Sequence, residues 1–207
     1  MQYNISPETL LDNRHPSVTV DKILNEDLTF EMYNDNAVCA NGAMYRKDVR
    51  GFLPELMEKI YKDRTIYKKK MLEAKQQYEK TKTKKLEKEI ARCNNIQMAR
   101  KIQLNSAYGA IGNQYFRYYK LANAEAITLS GQVSIRWIED RMNRYLNKIL
   151  KTEDVDYVIA SDTDSIYLNL GPFIDAVYQG REKTTEGIVS FLNKAVSYTH
   201  LTLPTTR

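Results

Sequence analysis

The sequence contains no early apolar run and no stretch near eighteen residues long that is free of charge. A membrane span or secretory leader is therefore not expected within it, and no membrane partner is expected. Cysteine and histidine are scarce: Cys39 and Cys93 stand far apart, and the histidines are His15 and His200. No metal-ligand spacing links them, which argues against a structural zinc site and for free thiols in a reducing cytoplasm. What the sequence does have is local positive charge. The chain carries +5, yet Glu58 to Arg92 alone holds thirteen Lys/Arg against six Asp/Glu, leaving the remainder mildly acidic. A basic arm on an acidic body suggests a phosphate-rich partner, although a solvated lysine-rich helix face has the same composition.

At 207 residues the chain can form one substantial domain or two small ones. Turn signals crowd the first fifty residues: Ser6-Pro7, Asn13, His15-Pro16, Asn34 to Asn36 and Asn41-Gly42. Val18 to Val20 and Leu28 to Tyr33 read as strands, and Ala37 to Tyr45 as a hairpin about Asn41-Gly42. From Lys47 to about Ser106 the pattern is helical. Leu53, Leu56, Ile60, Tyr67 and Met71 make one narrow apolar stripe, and Leu86, Ile90 and Cys93 a second. The polar run Thr81 to Lys85 separates them, so two antiparallel helices meeting at a polar tip are expected, with Gly109 and Gly112 ending the second near Tyr108. A further helix is expected over about Ala124 to Leu150, burying Ile127, Val133, Ile135, Trp137, Ile138 and Met142. The β-prone runs Tyr157 to Ala160 and Ile166 to Leu168 enclose Asp162-Thr163-Asp164-Ser165, a hairpin with two carboxylates at its turn. Ile188 to Ala195 is helical and stops without a cap. Ser197 to Arg207, with four threonines and no acid, resembles translated library-adapter sequence, so residues from about 196 are expected to be non-native.

Three groups of residues could carry chemistry. Asp162 and Asp164 offer hard oxygen ligands suited to Mg²⁺ or Mn²⁺, although Asp-rich turns without a metal are also common. On a helix, Lys101, Asn105 and Tyr108 share a face, presenting a cation, an amide and a ring. Arg64 and Lys68 lie one turn apart on the other helix, and Arg64 falls on the apolar stripe, an awkward place for a charge without a task. With Lys101 they could close three positive charges on one triphosphate.

The strings that hold these groups together resemble family B DNA polymerases. Lys101 to Gly109 (KIQLNSAYG) matches their K-x-x-x-N-S-x-Y-G motif, and Asp162 to Ser165 their D-T-D-S motif. Asn4 to Thr9 (NISPET), Tyr45 to Asp48 and Phe116 to Tyr119 (FRYY) resemble further stretches of the replicative enzymes of T-even-like phages. The resemblance covers about Asn4 to Ala195 and implies an α+β fold: an antiparallel helical hairpin (fingers) on part of a palm with a short antiparallel β-hairpin, within an incomplete polymerase right hand. It implies palm over 1–47, fingers over 48–108 and palm again over 109–195. It also implies a first palm motif, with the other metal-binding aspartate, upstream of Met1. The activity implied is template-directed DNA synthesis in the cytoplasm of an infected bacterial host, with primer-template DNA and dNTP as partners and a sliding clamp engaged through regions outside this chain. Asp164, Asp162 and Lys101 would be catalytic, with two Mg²⁺ (Mn²⁺ also suitable) at Asp164 and Asp162. Arg64, Lys68, Lys101, Asn105 and Tyr108 would bind the nucleotide, and the fragment alone would be inactive. A non-enzymatic basic helical module would explain Glu58 to Arg92 but not the two motifs. A reverse transcriptase or RNA replicase would present adjacent aspartates, which Thr163 here separates.

Overall fold

The computed structural model describes residues 2–28, 35–179 and 184–202, with side chains described through Lys194. It is an α+β chain, about 60% helical, with small antiparallel sheets. In order it runs β1 (Leu10–Arg14), α1 (Val20–Leu24), β2 (Asn36–Val38), β3 (Ala43–Arg46), α2 (Phe52–Thr81), α3 (Lys84–Ile111), α4 (Leu121–Leu150), β4 (Val158–Asp162), β5 (Ser165–Leu168), α5 (Gly171–Val177) and α6 (Thr185–Thr202). The chain divides into two compact units, Met1–Ser134 and Ile135–Arg207, with α4 running through the division.

In the first unit β3 is the central strand of a β1-β3-β2 sheet. The β2–β3 hairpin turns at Asn41-Gly42 as expected: Gly42 adopts φ +77° and donates to Cys39 O at 2.8 Å, while Asn41 Oδ1 accepts from Ala43 N. Ala37, Cys39, Ala43, Tyr45 and Ala126 form a core on which Tyr3, Ile5 and Leu10 pack. Tyr45 is fully buried and donates its hydroxyl to Asn123 Oδ1 at 2.8 Å. Burial pushes the Cys39 thiol up to about 11, so it packs as an inert apolar group. Cys93 is free as well.

Several expectations fail here for physical reasons. Val18 to Val20 is not a strand: the Thr19 side chain accepts from Lys22 N, and Asp21 follows in the first turn, so the segment caps α1 instead. Leu28 lies outside any strand, and the rest of the Leu28 to Tyr33 expectation falls beyond the described residues. Leu10–Arg14, with the turn-prone Asn13 inside it, is a strand because β3 pairs with it. The α3 helix passes Gly109 and ends at Ile111, where Gly112 N donates to Tyr108 O and Ala110 O. The α4 helix buries Ala122, Asn123, Ala124, Ala126 and Ser130 in its first turns and Leu146 near its end, while Ile138 stays exposed. The α6 helix does not stop at Ala195 but continues to Thr202.

The α2–α3 pair is the hairpin expected, with only Lys82 and Thr83 between its helices. Met71 and Ala74 are buried on α2, and Cys93 and Gln97 on α3, while Leu56 on the expected stripe is exposed. At the base, Leu53, Ile111 and Ala124 form a second small core, and the Phe52 ring lies 5.0 Å from that of Tyr118. Helices this long gain most of their stability from such packing.

A side-chain cradle anchors the start of α2. Gly51 provides no side-chain cap; Phe52 N donates to Glu8 Oε1 at 2.5 Å, and Leu53 N to Ser6 Oγ at 3.4 Å. A Cβ on Gly51 would meet Ser6 Cβ at 2.6 Å, so glycine permits this approach. Buried Asn4 donates to Arg46 O and Val49 O at 2.6 and 2.7 Å and accepts from Gly51 N at 2.9 Å, from a left-handed backbone (φ 56°). Partial burial alone would raise the Glu8 carboxyl, but hydrogen bonds from Ser6 and Phe52 outweigh it and hold the group below its ordinary value. Glu8 therefore supports the junction at neutral pH and ceases to once the pH falls through that lowered value. Replacing Asn4 by alanine is expected to cost about 3 kcal/mol, through orphaned backbone groups and a left-handed alanine. Asn4→Gly, which tolerates the backbone, should keep most of that loss. Urea unfolding measures both, and a shift within about 0.5 kcal/mol for either would show that the cradle is dispensable.

Candidate functional site

The hairpin in the first unit gathers one set of site residues. Asp63 on α2 and Arg100 on α3 form an ion pair at 2.9 Å, fixing the register of the two helices. Moving one residue along a helix turns the side chain by about 100°, and because the two helices run in opposite directions both steps turn toward the same side of the hairpin. Arg64 and Lys101, the next residues along α2 and α3, therefore turn toward one side of the hairpin. Lys68, one turn beyond Arg64, and Asn105 and Tyr108, one and two turns beyond Lys101, extend that edge. Lys68, Lys101, Asn105 and Tyr108 are exposed, and Arg64 is half-buried.

Two details of this part of the hairpin bear on its chemistry. Arg64 Nε is buried without a hydrogen-bond partner. Leaving such a donor unpaired costs about 1–3 kcal/mol, and an anion at the edge would relieve that cost. The Tyr108 hydroxyl lies 2.8 Å from Thr128 Oγ1, whose hydroxyl also contacts Ala124 O, so α4 steadies the ring. Lys68 and Lys101 have no ion pair among the described residues.

The second unit holds the acidic turn. β4 and β5 pair antiparallel, with Asp162 opposite Ser165, so Thr163-Asp164 is a two-residue turn. Asp164 N donates to Asp162 O at 2.5 Å, and Ser165 Oγ donates to the same carbonyl at 3.2 Å. Thr163 takes φ +48°, a costly conformation for a β-branched residue. Both aspartates are exposed. Asp162 Oδ1 accepts from Thr163 Oγ1 at 2.9 Å, and neither carboxylate makes an ion pair among the described residues. Their oxygens fit a hard divalent cation, which needs few protein ligands and keeps waters. Among the described residues no group of three or more acids, histidines or cysteines could hold a metal.

The strands beside this turn are largely exposed despite their apolar residues. Ile159 and Tyr167 are 71% and 59% exposed, because the sheet consists of β4 and β5 alone. The sequence also gave no signal for what aims the turn, namely two asparagines on α4. Asn147 Oδ1 accepts from Thr152 Oγ1 and Val155 N, and Asn143 Oδ1 accepts from Tyr157 N, leading the chain into β4. Asn143 Nδ2 donates to Asp156 at 2.8 Å, and that contact, followed by one from Val158 N, holds the Asp156 carboxyl below its ordinary value. An open, polar cavity of about 750 Å³ lies beside this loop and contains none of the expected site residues.

Residues 1–196 match the DNA polymerase family B profile. The chain belongs to DNA polymerase family B. It is 33% identical to the DNA-directed DNA polymerases of Enterobacteria phage T4 and Escherichia phage RB69, with 93% of this chain covered in each case. It is 27% identical to DNA polymerase beta of African swine fever virus over 90% of the chain. The chain spans about a quarter of the length of the two phage polymerases, 26% of each, and 15% of the African swine fever virus enzyme. The family match stops at residue 196, where the sequence itself changes character. Among the described residues no helix is long and apolar enough to cross a membrane.

Proposed function

We propose that the chain supplies the fingers hairpin and part of the palm of a phage-type DNA polymerase that joins deoxynucleotides to a primer 3′ end on a template. The observation that carries this reading is the buried, unpartnered Nε of Arg64 on α2, the helix packed against the one that bears Lys101, Asn105 and Tyr108. In this reading residues 1–47 and 109–195 belong to the palm and 48–108 to the fingers. The phage origin of two of its relatives supports work in an infected bacterial cytoplasm. Primer-template DNA and dNTP are the partners, and a sliding clamp would engage parts of the enzyme outside this chain.

On the hairpin edge, Arg64, Lys68 and Lys101 hold the β- and γ-phosphates through charge-assisted contacts. Lys101, the compact ammonium among them, gives a proton to the departing pyrophosphate. Asn105 steadies the triphosphate, and Tyr108, fixed against Thr128, packs beneath the nascent base pair. Base choice follows from the shape of that pair. Correct pairing closes the hairpin and assembles the site, an induced-fit step. At the acidic turn, Asp164, assisted by Asp162, would hold Mg²⁺, or Mn²⁺ in its place. Two such ions, when bound, supply activation of the 3′ hydroxyl and stabilisation of the leaving oxygen. A further carboxylate from elsewhere in the polymerase completes their ligands, so this chain by itself does not extend a primer.

Arg64→Ala and Lys68→Ala, placed in the full-length polymerase, are each expected to weaken the apparent affinity for incoming dNTP. The loss should be about 10- to 100-fold, corresponding to one charge-assisted hydrogen bond of about 1.5–3 kcal/mol. Single-turnover titration of dNTP reads this directly. Unchanged apparent affinity in both variants would reduce the basic edge to a solvated helix face.

A further inference from the structure

The distal end of the hairpin carries charge that nucleotide binding does not use. Between Lys75 and Lys88 there are six lysines (Lys75, Lys80, Lys82, Lys84, Lys85 and Lys88) against Glu79 and Glu87. All six are exposed, and none makes an ion pair among the described residues. Outside this tip several cations of the hairpin are paired internally, although, among the described residues, Lys68 and Lys101 are not. Glu58 takes Lys62 and Arg50 at 2.9 Å, Asp63 takes Arg100 at 2.9 Å, and Glu89 takes Arg92 at 2.8 Å. Lysine also occupies the turn itself: Lys82 ends α2 in the left-handed conformation, φ 44°, where glycine or asparagine would be easier by roughly 1 kcal/mol.

At about 1.5 Å per residue, Lys75 stands about 16 Å beyond Arg64 along α2, and Lys82 about 27 Å beyond it. A nucleotide held at Arg64 does not span that distance, so the tip faces something larger. Its cations are flexible point charges, and Tyr78, the aromatic residue among them, is half-buried. No fork-shaped guanidinium and no open stacking ring is present, so the surface suits phosphate spacing rather than base identity. We propose that the hairpin tip is a second nucleic-acid contact, one that grips the phosphodiester backbone of DNA independently of sequence and apart from the nucleotide edge. The contact rests on the tip's unpaired charge and does not depend on the catalytic roles assigned above.

The test is DNA binding by the 207-residue chain, read by fluorescence anisotropy of a labelled oligonucleotide over a range of KCl concentrations. The oligonucleotide is used both single-stranded and as a duplex. Changing Lys80, Lys82, Lys84 and Lys85 together to glutamine should flatten the plot of log affinity against log salt by about 3.6 on duplex and about 2.8 on a single strand. Arg64→Ala should flatten it by at most about 1. The four side chains are exposed, so helicity by circular dichroism should be unchanged, separating lost contact from lost fold. An unchanged slope in the quadruple variant would overturn the proposal, as would absence of DNA binding by the parent chain. Displacement of DNA by polyglutamate at equal charge concentration would also overturn it, assigning the tip to an acidic protein partner. None of these outcomes bears on dNTP affinity, so failure here is distinguishable from failure of the nucleotide edge.

Discussion

Lys101→Ala, in the full-length polymerase containing this chain, is expected to lower the single-turnover rate of nucleotide incorporation by ~10²–10⁴-fold, the range set by loss of a general acid. The fold should not account for the loss. Lys101 is exposed on α3, alanine favours a helix, and neighbouring Arg100 keeps its ion pair with Asp63, so the hairpin retains its register. Lys101→Arg should restore part of the dNTP affinity, because the positive charge returns. It should restore less of the rate, because a guanidinium releases a proton poorly. That split between affinity and rate distinguishes proton donation from charge alone. Equal rates for wild type and Lys101→Ala would remove Lys101 from the mechanism.

How much of this was legible in the sequence depended on whether the cause was local. The helical hairpin followed from its 3.6-residue periodicity and its polar tip, and the two β-hairpins from turn chemistry at Asn41-Gly42 and Asp162 to Ser165. The placement of Lys101, Asn105 and Tyr108 on one face followed from spacing alone. The misreadings occurred where a distant partner decides. Leu10–Arg14 is a strand because β3 lies beside it, although Asn13 locally suggests a turn. Leu56 fits the stripe by spacing yet stays exposed, since the hairpin interface is narrow and begins to pair fully only nearer Met71. The first turns of α4 pack through alanine, serine and asparagine, a close approach that hydropathy reads as weak.

The site divided along the same line. Residue types and motifs suggested a chemistry, but the contacts that support those residues are long-range. Asn4 reaches backbone 42 to 47 residues away to hold the start of α2, and Asp63 meets Arg100 across 37 residues to set the side toward which Arg64 and Lys101 turn. The buried, unpartnered Nε of Arg64 is likewise a property of packing, for which an arginine on an apolar stripe is only a hint.

The acidic turn carries the other large effect. Asp164→Asn in the full-length polymerase should reduce primer extension to background while leaving the fold intact, because the exposed carboxylate makes no ion pair within the described structure and is replaced by its isostere. Asp162→Asn should leave measurable activity, since Asp162 assists from the same turn with one oxygen already engaged by Thr163. The measurement that tests the whole account most directly is therefore a primer-extension assay on a primer-template with dNTP and Mg²⁺. It compares the full-length polymerase, its Asp164→Asn variant and the 207-residue chain alone. The account predicts template-directed extension by the first and none by the other two. Extension by the Asp164→Asn variant or by the isolated chain would show that the catalytic carboxylates lie elsewhere, and no extension by the full-length protein would contradict the polymerase reading itself.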